Sequence, residues 1–353
     1  MRALQPLLGL ALSTPLFASD DAPGVTYEGA DGPGRGKHLV FVTGDEEYRS
    51  EEAMPQLARI LAVRHGFRCT VLFSIDEGGA IDPEARGNLP GLEALDDADL
   101  MVIFTRFRDL PDEQMAPLVR YVESGRPIVG FRTATHAFDV KGSPTYARYS
   151  WRSEEWDGGF GRHVLGETWI AHHGAHGSQS TRGIVVAERA EHPILRGIED
   201  GDVWDPTDVY AVRLPLPDGI EPLLLGEVVD GMAPDDPPLA PRVDDEGRVT
   251  DKNDPMMPVA WVREWTSPSG AAARVFTTTT GTSRALLREG TRRLYVNACL
   301  WAVGLEDAIR PDLDVDLVGP FEPSAFGFGG QRRGVRPAAL RLEGDAASSE
   351  ERR

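Results

Sequence analysis

Three histidines fall within five residues in GETWIAHHGAHG, Gly166 to Gly177. His172 and His176 stand four apart, as on a zinc-binding helix, but Gly174 and Gly177 disfavour a helix and the glutamate of an HExxH site is absent. A zinc-protease helix is excluded. Such a loop can instead converge with another histidine and an acid such as Asp208, in DPTDVY, into a His/carboxylate site for zinc or another divalent ion. Two further readings stay open: a metal-free acid/base or sugar-binding pocket, and a polar loop of structural histidines.

Two other segments carry candidate chemistry. PIVGFRTATHAF, Pro127 to Phe138, is an apolar run ending in glycine and a tight polar turn, the place where nucleophile-elbow proteins carry Cys or Ser. Here the turn holds Arg132, Thr133, Thr135 and His136, so covalent acyl chemistry has no nucleophile. His136 reads as a ligand or general base, or as a hydrogen-bonded structural histidine. TGDEEYRSEE, residues 43–52, offers Glu46, Glu47, Tyr48 and Arg49, or else is a solvated helix start whose acids suit the dipole. Trp151, Trp156 and Trp169 could present faces to sugar rings, although a tryptophan is more often core. Cys69 and Cys299 sit in apolar runs and read as buried small hydrophobes.

The elements that must position these residues alternate. Apolar runs at 38–42, 69–73, 100–104 and 127–131 are separated by helical patterns, at 50–65 and about 112–124. Near-continuous apolar strands joined by helices imply a parallel sheet covered on both faces, with Val42, Phe104 and Phe131 at carboxyl ends beside the pocket. In such a sheet the loops after the strands bind ligands. Runs at 184–188, 209–214, 222–229, 258–265 and 273–280 have few helical signals between them and read as added or antiparallel strands. A last helix is expected over about 291–305.

The chain of 353 residues, 41% apolar, can build a sizeable core. Its net charge of −19 disfavours nucleic acid and anionic lipid as partners. Residues 1–18 have the shape of a secretory signal peptide, with Arg2, an apolar run too short to span a bilayer, and Ala18 before an acidic start. The expected product is an exported protein, periplasmic or extracellular, without membrane contact after cleavage. Residues 19–36 read as a flexible lead-in, 37–318 as one domain, 230–257 as a Pro/Asp-rich lid or disordered loop, and 319–353 as a tail with a disordered end.

LVFVTGDEEYRSEEAMPQLARIL, VGFRTATHAF, GGFGRHVLGETWIAHHG, EHPILRGI with DPTDVY, PVAWVREW followed by GAAARVFTTTTGTS, and NACLWAVGLE occur in this order. Together they resemble the ThuA-like (trehalose utilisation) family, in an exported planctomycete-type form, over about residues 37–310. The resemblance implies an α/β, flavodoxin-like fold of the class I glutamine amidotransferase type, with a parallel core, added strands and a single domain. It also implies a role in sugar metabolism, on disaccharides or keto-sugars. By position the family's polar pocket falls on the loop after the first strand, His136, His172 or His173, and Asp208. The chain departs at Gly281-Thr282, where the family often has Gly-His, so a ligand or proton carrier there is missing or replaced.

The combined expectation is a carbohydrate-binding pocket in which His136, His172, His173, Asp208 and Glu47 carry acid/base work. Tyr48, Arg49, Arg132, Thr133, Trp169 and Thr282 would bind substrate, and His136, His172 and His173 would hold any zinc. A non-catalytic sugar-binding protein is the rival, and a homo-oligomer remains open. At least one of His172 and His173 should face the cleft near His136, with His176 and His163 nearer the rim and His192 structural.

Overall fold

The computed structural model describes residues 22–29 and 31–342; the expected signal peptide and the expected disordered end lie outside them. The first strand, β1 (Gly24–Tyr27), forms inside the segment expected to be a flexible lead-in. It pairs antiparallel with β3 (Arg68–Leu72), and the tight seating of Gly29 and Gly32 on the Gly66 and His65 backbone shows why glycine occupies the run. Between them come β2 (His38–Gly44) and α1 (Ser50–His65). Glu51 and Glu52 favour the start of α1, and Gly66, at φ 79°, ends it by donating to carbonyls of the last turn.

β4 (Leu100–Thr105), α2 (Asp112–Glu123) and β5 (Ile128–Phe131) continue the alternation. Every residue of β4 and β5 is buried, as strands covered on both faces require. Alternate side chains divide the core: Leu39 and Phe41 pack with Met54, Leu57 and Leu61 of α1, whereas Val40 and Val42 pack with Met115, Leu118 and Val122 of α2.

Two short strands, β6 (Ala171–His172) and β9 (Tyr210–Ala211), pair with each other, while β7 (Ser180–Val185), β8 (Trp204–Asp205) and β10 (Ile220–Val229) join the main sheet. β11 (Arg242–Val243) and β12 (Val249–Thr250) form a hairpin within the Pro/Asp-rich loop. That loop is stitched down: Asn253 exchanges hydrogen bonds with both Val228 backbone groups, and Arg182 donates to the Pro234 and Asp236 carbonyls. The chain closes the sheet with β13 (Met257–Thr266) and β14 (Ala272–Thr278), then forms α3 (Glu289–Ala302).

The sheet order is β1-β3-β2-β4-β5-β14-β13-β10-β7-β8, with β3, β2, β4, β5 and β14 parallel and the remainder antiparallel. This is a single α/β domain with a flavodoxin-like parallel core. The chain leaves β2 toward β3 on one side and returns to β4 on the other, so the crevice at their carboxyl ends is the topological switch point. Residues 319–342 form an ordered strap that starts over this end, where Ser324 bonds Glu52, and runs along α1 toward the amino end of β3, where Tyr27 donates to the Leu340 carbonyl. Cys69 and Cys299 are free and buried, and burial pushes both thiols up, away from reactivity.

Candidate active site

The turn after β2 is organised by Asp45, which is fully buried. One carboxylate oxygen accepts from the Glu47 and Tyr48 amides, the other from the Thr133 hydroxyl at 2.6 Å, tying this turn to the one after β5. Glu46 is thereby turned into a cage of Arg86, Arg106 and Arg108, at 2.5, 2.8 and 3.0 Å. Glu47 is sent toward the histidines. Arg49, at φ 62°, points elsewhere and clamps the Gly327 carbonyl of the strap.

Arg132 stands at the elbow position after β5 with φ 39°. The strained turn persists, but its occupant is not a nucleophile. The guanidinium is fully buried between the Tyr48 and Tyr210 rings, 4.1 Å from each centroid, donates to the Thr279 carbonyl at 2.6 Å and lies 3.5 Å from an Asp208 carboxylate oxygen. Among the described residues the positive-φ non-glycines are Arg49, Phe107 and Arg132, and all three border this crevice. Strain concentrated there fits a functional site.

The histidine loop reaches the crevice by pairing. β6 lies on β9, and His173 and Gly174 both donate to the Val209 carbonyl. A Cβ at Gly174 would sit 2.9 Å from that of Asp208, so only glycine allows the approach. The result is a continuous chain: Glu47 accepts from His176 Nε2 at 2.9 Å, His176 Nδ1 donates to one oxygen of Asp208 at 2.9 Å, and His172 Nδ1 donates to the other at 2.8 Å. His176 was expected nearer the rim and is instead the central link.

With a carboxylate on each nitrogen, first Asp208 and then Glu47, His176 is pushed up to about 9 and stands as an imidazolium at neutral pH. Burial draws the Asp208 carboxyl upward, but the bonds from His172 and His176 and the charge of Arg132 overcome it and hold it far below the usual range. At Glu47 burial is likewise outweighed, by His176 and Arg106, and the carboxyl stays below its usual value. The stability that His176 contributes is complete below its unfolded value of 6.5 and is lost as pH rises through about 9. Thermal unfolding is therefore expected to show Tm falling between pH 6.5 and 9, and a His176→Asn variant should lose that slope. An alkaline decline of equal steepness in the variant would refute the assignment.

His136 forms the floor. Its ring centroid lies 4.9 Å from Phe107, 5.1 Å from Trp169 and 6.0 Å from Tyr210; His172 in turn packs against Trp169 and Tyr210 at 5.8 and 5.6 Å. The two histidines thus share one wall. Thr135 Oγ1 donates to the Arg132 carbonyl, so at 3.2 Å it accepts from His136 Nδ1, leaving Nε2 a bare acceptor without a partner among the described residues. Burial, then the charges of Arg106 and Arg132, hold this imidazole well below its ordinary value.

Several expected site residues lie elsewhere. His173 turns away, its Nε2 donating to the Lys252 carbonyl at 2.7 Å while Lys252 Nζ bonds the His173 carbonyl. It pins the Pro/Asp-rich loop. His173→Ala should leave ligand affinity within about twofold, cost about 1 kcal/mol for the lost hydrogen bond, and speed proteolysis within residues 230–257; a large affinity loss would return it to the site. Thr282 is buried on Asp205 and caps a short helical turn through Ala285. Thr133 belongs to the Asp45 framework, Tyr48 is fully buried beneath the cluster, and Trp156 stacks on His163 away from it. His192 caps Ile194 as a structural residue. What sequence reasoning missed is the strap: Phe326 packs on Tyr48 and His176 at 5.8 and 5.3 Å, and Gly327 donates to the Glu47 carbonyl. The aromatic and glycine pattern FGFGG was its one signal.

One ligand atom from each of His172, His176 and Asp208 lies within 4.8 Å of the others, a donor set of two imidazoles and a carboxylate that suits zinc or a similar divalent ion. Neither His136 nor His173 belongs to this set.

A flavodoxin-like sheet that carries arginine at the turn after β5, beneath a His/carboxylate chain and an aromatic wall, defines the class as an α/β protein with its polar cluster at the switch point. Residues 37–302 match the family described as ThuA, trehalose utilisation, and the chain belongs to that family. Similar solved structures include a ThuA-like protein from Parabacteroides merdae ATCC 43184, 14% identical, with 76% of this chain and 90% of that one covered and a TM-score of 0.45. Another, from Bacteroides uniformis ATCC 8492, is 18% identical over 81% and 98% of the two chains, also with a TM-score of 0.45. No curated protein matches the chain. The family gives it a carbohydrate-related role.

Proposed function

We propose that the chain is an exported protein that acts on a disaccharide or keto-sugar in the histidine cleft, by acid/base chemistry. The observation that carries this reading is the opposition of two imidazoles in one crevice: His136, kept neutral by burial, and His176, kept charged by two carboxylates. Environments that push neighbouring groups in opposite directions define a base and an acid or electrostatic partner. His136 Nε2 takes a proton from a hydroxyl, or from a carbon next to a carbonyl, while the His176 and Arg132 charges stabilise the negative charge that develops. His172, donating through Nδ1 to Asp208, presents Nε2 as a second acceptor. Trp151 and Trp169, 5.8 Å apart, and Phe107 supply apolar faces for a sugar ring.

In a metal-loaded form His172, His176 and Asp208 would hold a divalent ion only with His176 deprotonated, the ion's charge then replacing that of the imidazolium and supplying Lewis acidity toward a sugar oxygen. Export is supported by the charge, apolar run and small residue of the first 18 positions. The test combines elemental analysis of the purified protein with turnover of trehalose and its 3-keto derivative, followed by NMR. Conversion of a keto-sugar or disaccharide is expected. Saturable binding without turnover would shift the reading to a sugar-binding protein, and neither binding nor turnover would sink it.

A further inference from the structure

A cavity of about 250 Å³ lies between the first turns of α1 and the strap and shares no lining residue with the histidine cluster. Two of its polar groups lack a partner on any other described residue. Glu51 is 9% exposed and Gln56 1%, yet the carboxyl of the first meets only its own backbone amide and both amide atoms of the second are unpaired. Of the other charged groups of the lining, Glu52 holds Ser324 and Arg332, Arg59 donates to Tyr27 and the Leu340 carbonyl, and Glu322 is exposed. Pro55, Ile81, Phe321, Val335 and Leu340 give the apolar part. Buried polar groups left unpaired are costly, and several side by side in one cavity point to an occupant that pairs with them.

We propose that this cavity binds a small neutral polyhydroxylated molecule, a monosaccharide or a polyol of that size, through the Glu51 carboxyl and the Gln56 carboxamide. The volume is below the roughly 300–1,000 Å³ of drug-sized sites. The lining carries both signs, Arg59 and Arg332 beside Glu52 and Glu322, with Arg332 paired to Glu52, so an ion of either sign finds no field of one sign, and a hydrocarbon would leave all four polar atoms unpaired. Hydroxyls both donate and accept, matching a carboxyl and an amide, while ring C–H faces suit Phe321 and its aliphatic neighbours. Burial pushes Glu51 up to about 8, which keeps it uncharged at neutral pH and able to donate as well.

The test uses the full chain with D-glucose and myo-inositol as probes and methylammonium as the cationic control, read by saturation-transfer NMR and by ligand-induced change in Tm. Saturable binding of either neutral probe, but not of methylammonium, is expected. Gln56→Leu should weaken it about tenfold, the worth of one buried hydrogen bond, while raising the Tm of the free protein because an unpaired amide is removed. Glu51→Gln, which keeps a donor and an acceptor, should bind within about threefold of the parent on the same scale. A His136→Gln variant should bind as the parent does, which separates this site from the cleft. Water alone, with no saturable binding of the neutral probes, overturns the proposal. So do preference for methylammonium, binding undiminished in Gln56→Leu, a lowered Tm in that variant, or loss of binding in His136→Gln.

Discussion

Replacing Asp208 with Asn is expected to lower Tm by roughly 6–12 °C, to move the His176 titration down toward 6.5 and to abolish ligand or metal binding in the cleft. The side chain is fully buried and faces three donors: His172, His176 and the more distant Arg132. Asparagine preserves the volume but exchanges one acceptor for an NH2 group, which then confronts an imidazole N–H. It also removes the negative charge that balances Arg132, itself fully buried. Removing one partner of a buried ion pair costs about 3–5 kcal/mol, and at the lower end, given that His172 and His176 are partly exposed, about 2–4 °C per kcal/mol gives the stated range. The wild-type carboxylate also carries a pH signature. Its folded pKa is depressed, so its contribution is complete above the unfolded value of 3.8 and is lost as pH falls below that. The variant should lack this acid component. An unchanged Tm together with an unchanged His176 titration, measured by calorimetry and imidazole NMR, would show that Asp208 does not organise the cluster.

The parallel core was legible because each strand is buried on both faces and therefore reads as an unbroken apolar run, such as LMVIF at 100–104. β1 was not, since GVTY sits among Gly, Asp and Pro, and its partner is a strand more than forty residues on. The histidine loop shows the same division. Its glycines announced a close backbone approach, and Asp208 was named as the acid from its place in DPTDVY. Which imidazole met it depended on the β6–β9 register, which puts His172 opposite Tyr210 and sends His173 to the other side. His176 then arrives through the turn at Gly174, a tertiary consequence with no local pattern. Asp45 was hidden for another reason: three consecutive acids look like a solvated helix start, and only the Thr133 and arginine contacts give Asp45 and Glu46 their separate roles. The strap was unreadable because its aromatics gain meaning only where they land, on Tyr48 and His176.

His136→Gln is expected to lower turnover about 10²–10⁴-fold, the usual contribution of a positioned general base, while Tm changes by only a few degrees. Glutamine can keep the bond to Thr135 and most of the packing against Phe107 and Trp169, so a fold-wide effect is not expected. What it cannot do is accept and release a proton. If the cleft only binds, the same substitution should change affinity without a rate to lose, and KM and kcat would not separate. A second readout comes from linkage. Burial depresses the His136 pKa, so the folded protein binds fewer protons than the unfolded chain, and stability falls as pH drops below the unfolded value of 6.5. Glutamine removes that acid-side loss, and the acid limb of turnover attributable to His136 should vanish with it. Retention of both the rate and the acid limb would exclude His136 as the base and leave His172, whose Nε2 shares the wall of Trp169 and Tyr210, as the acceptor to test next.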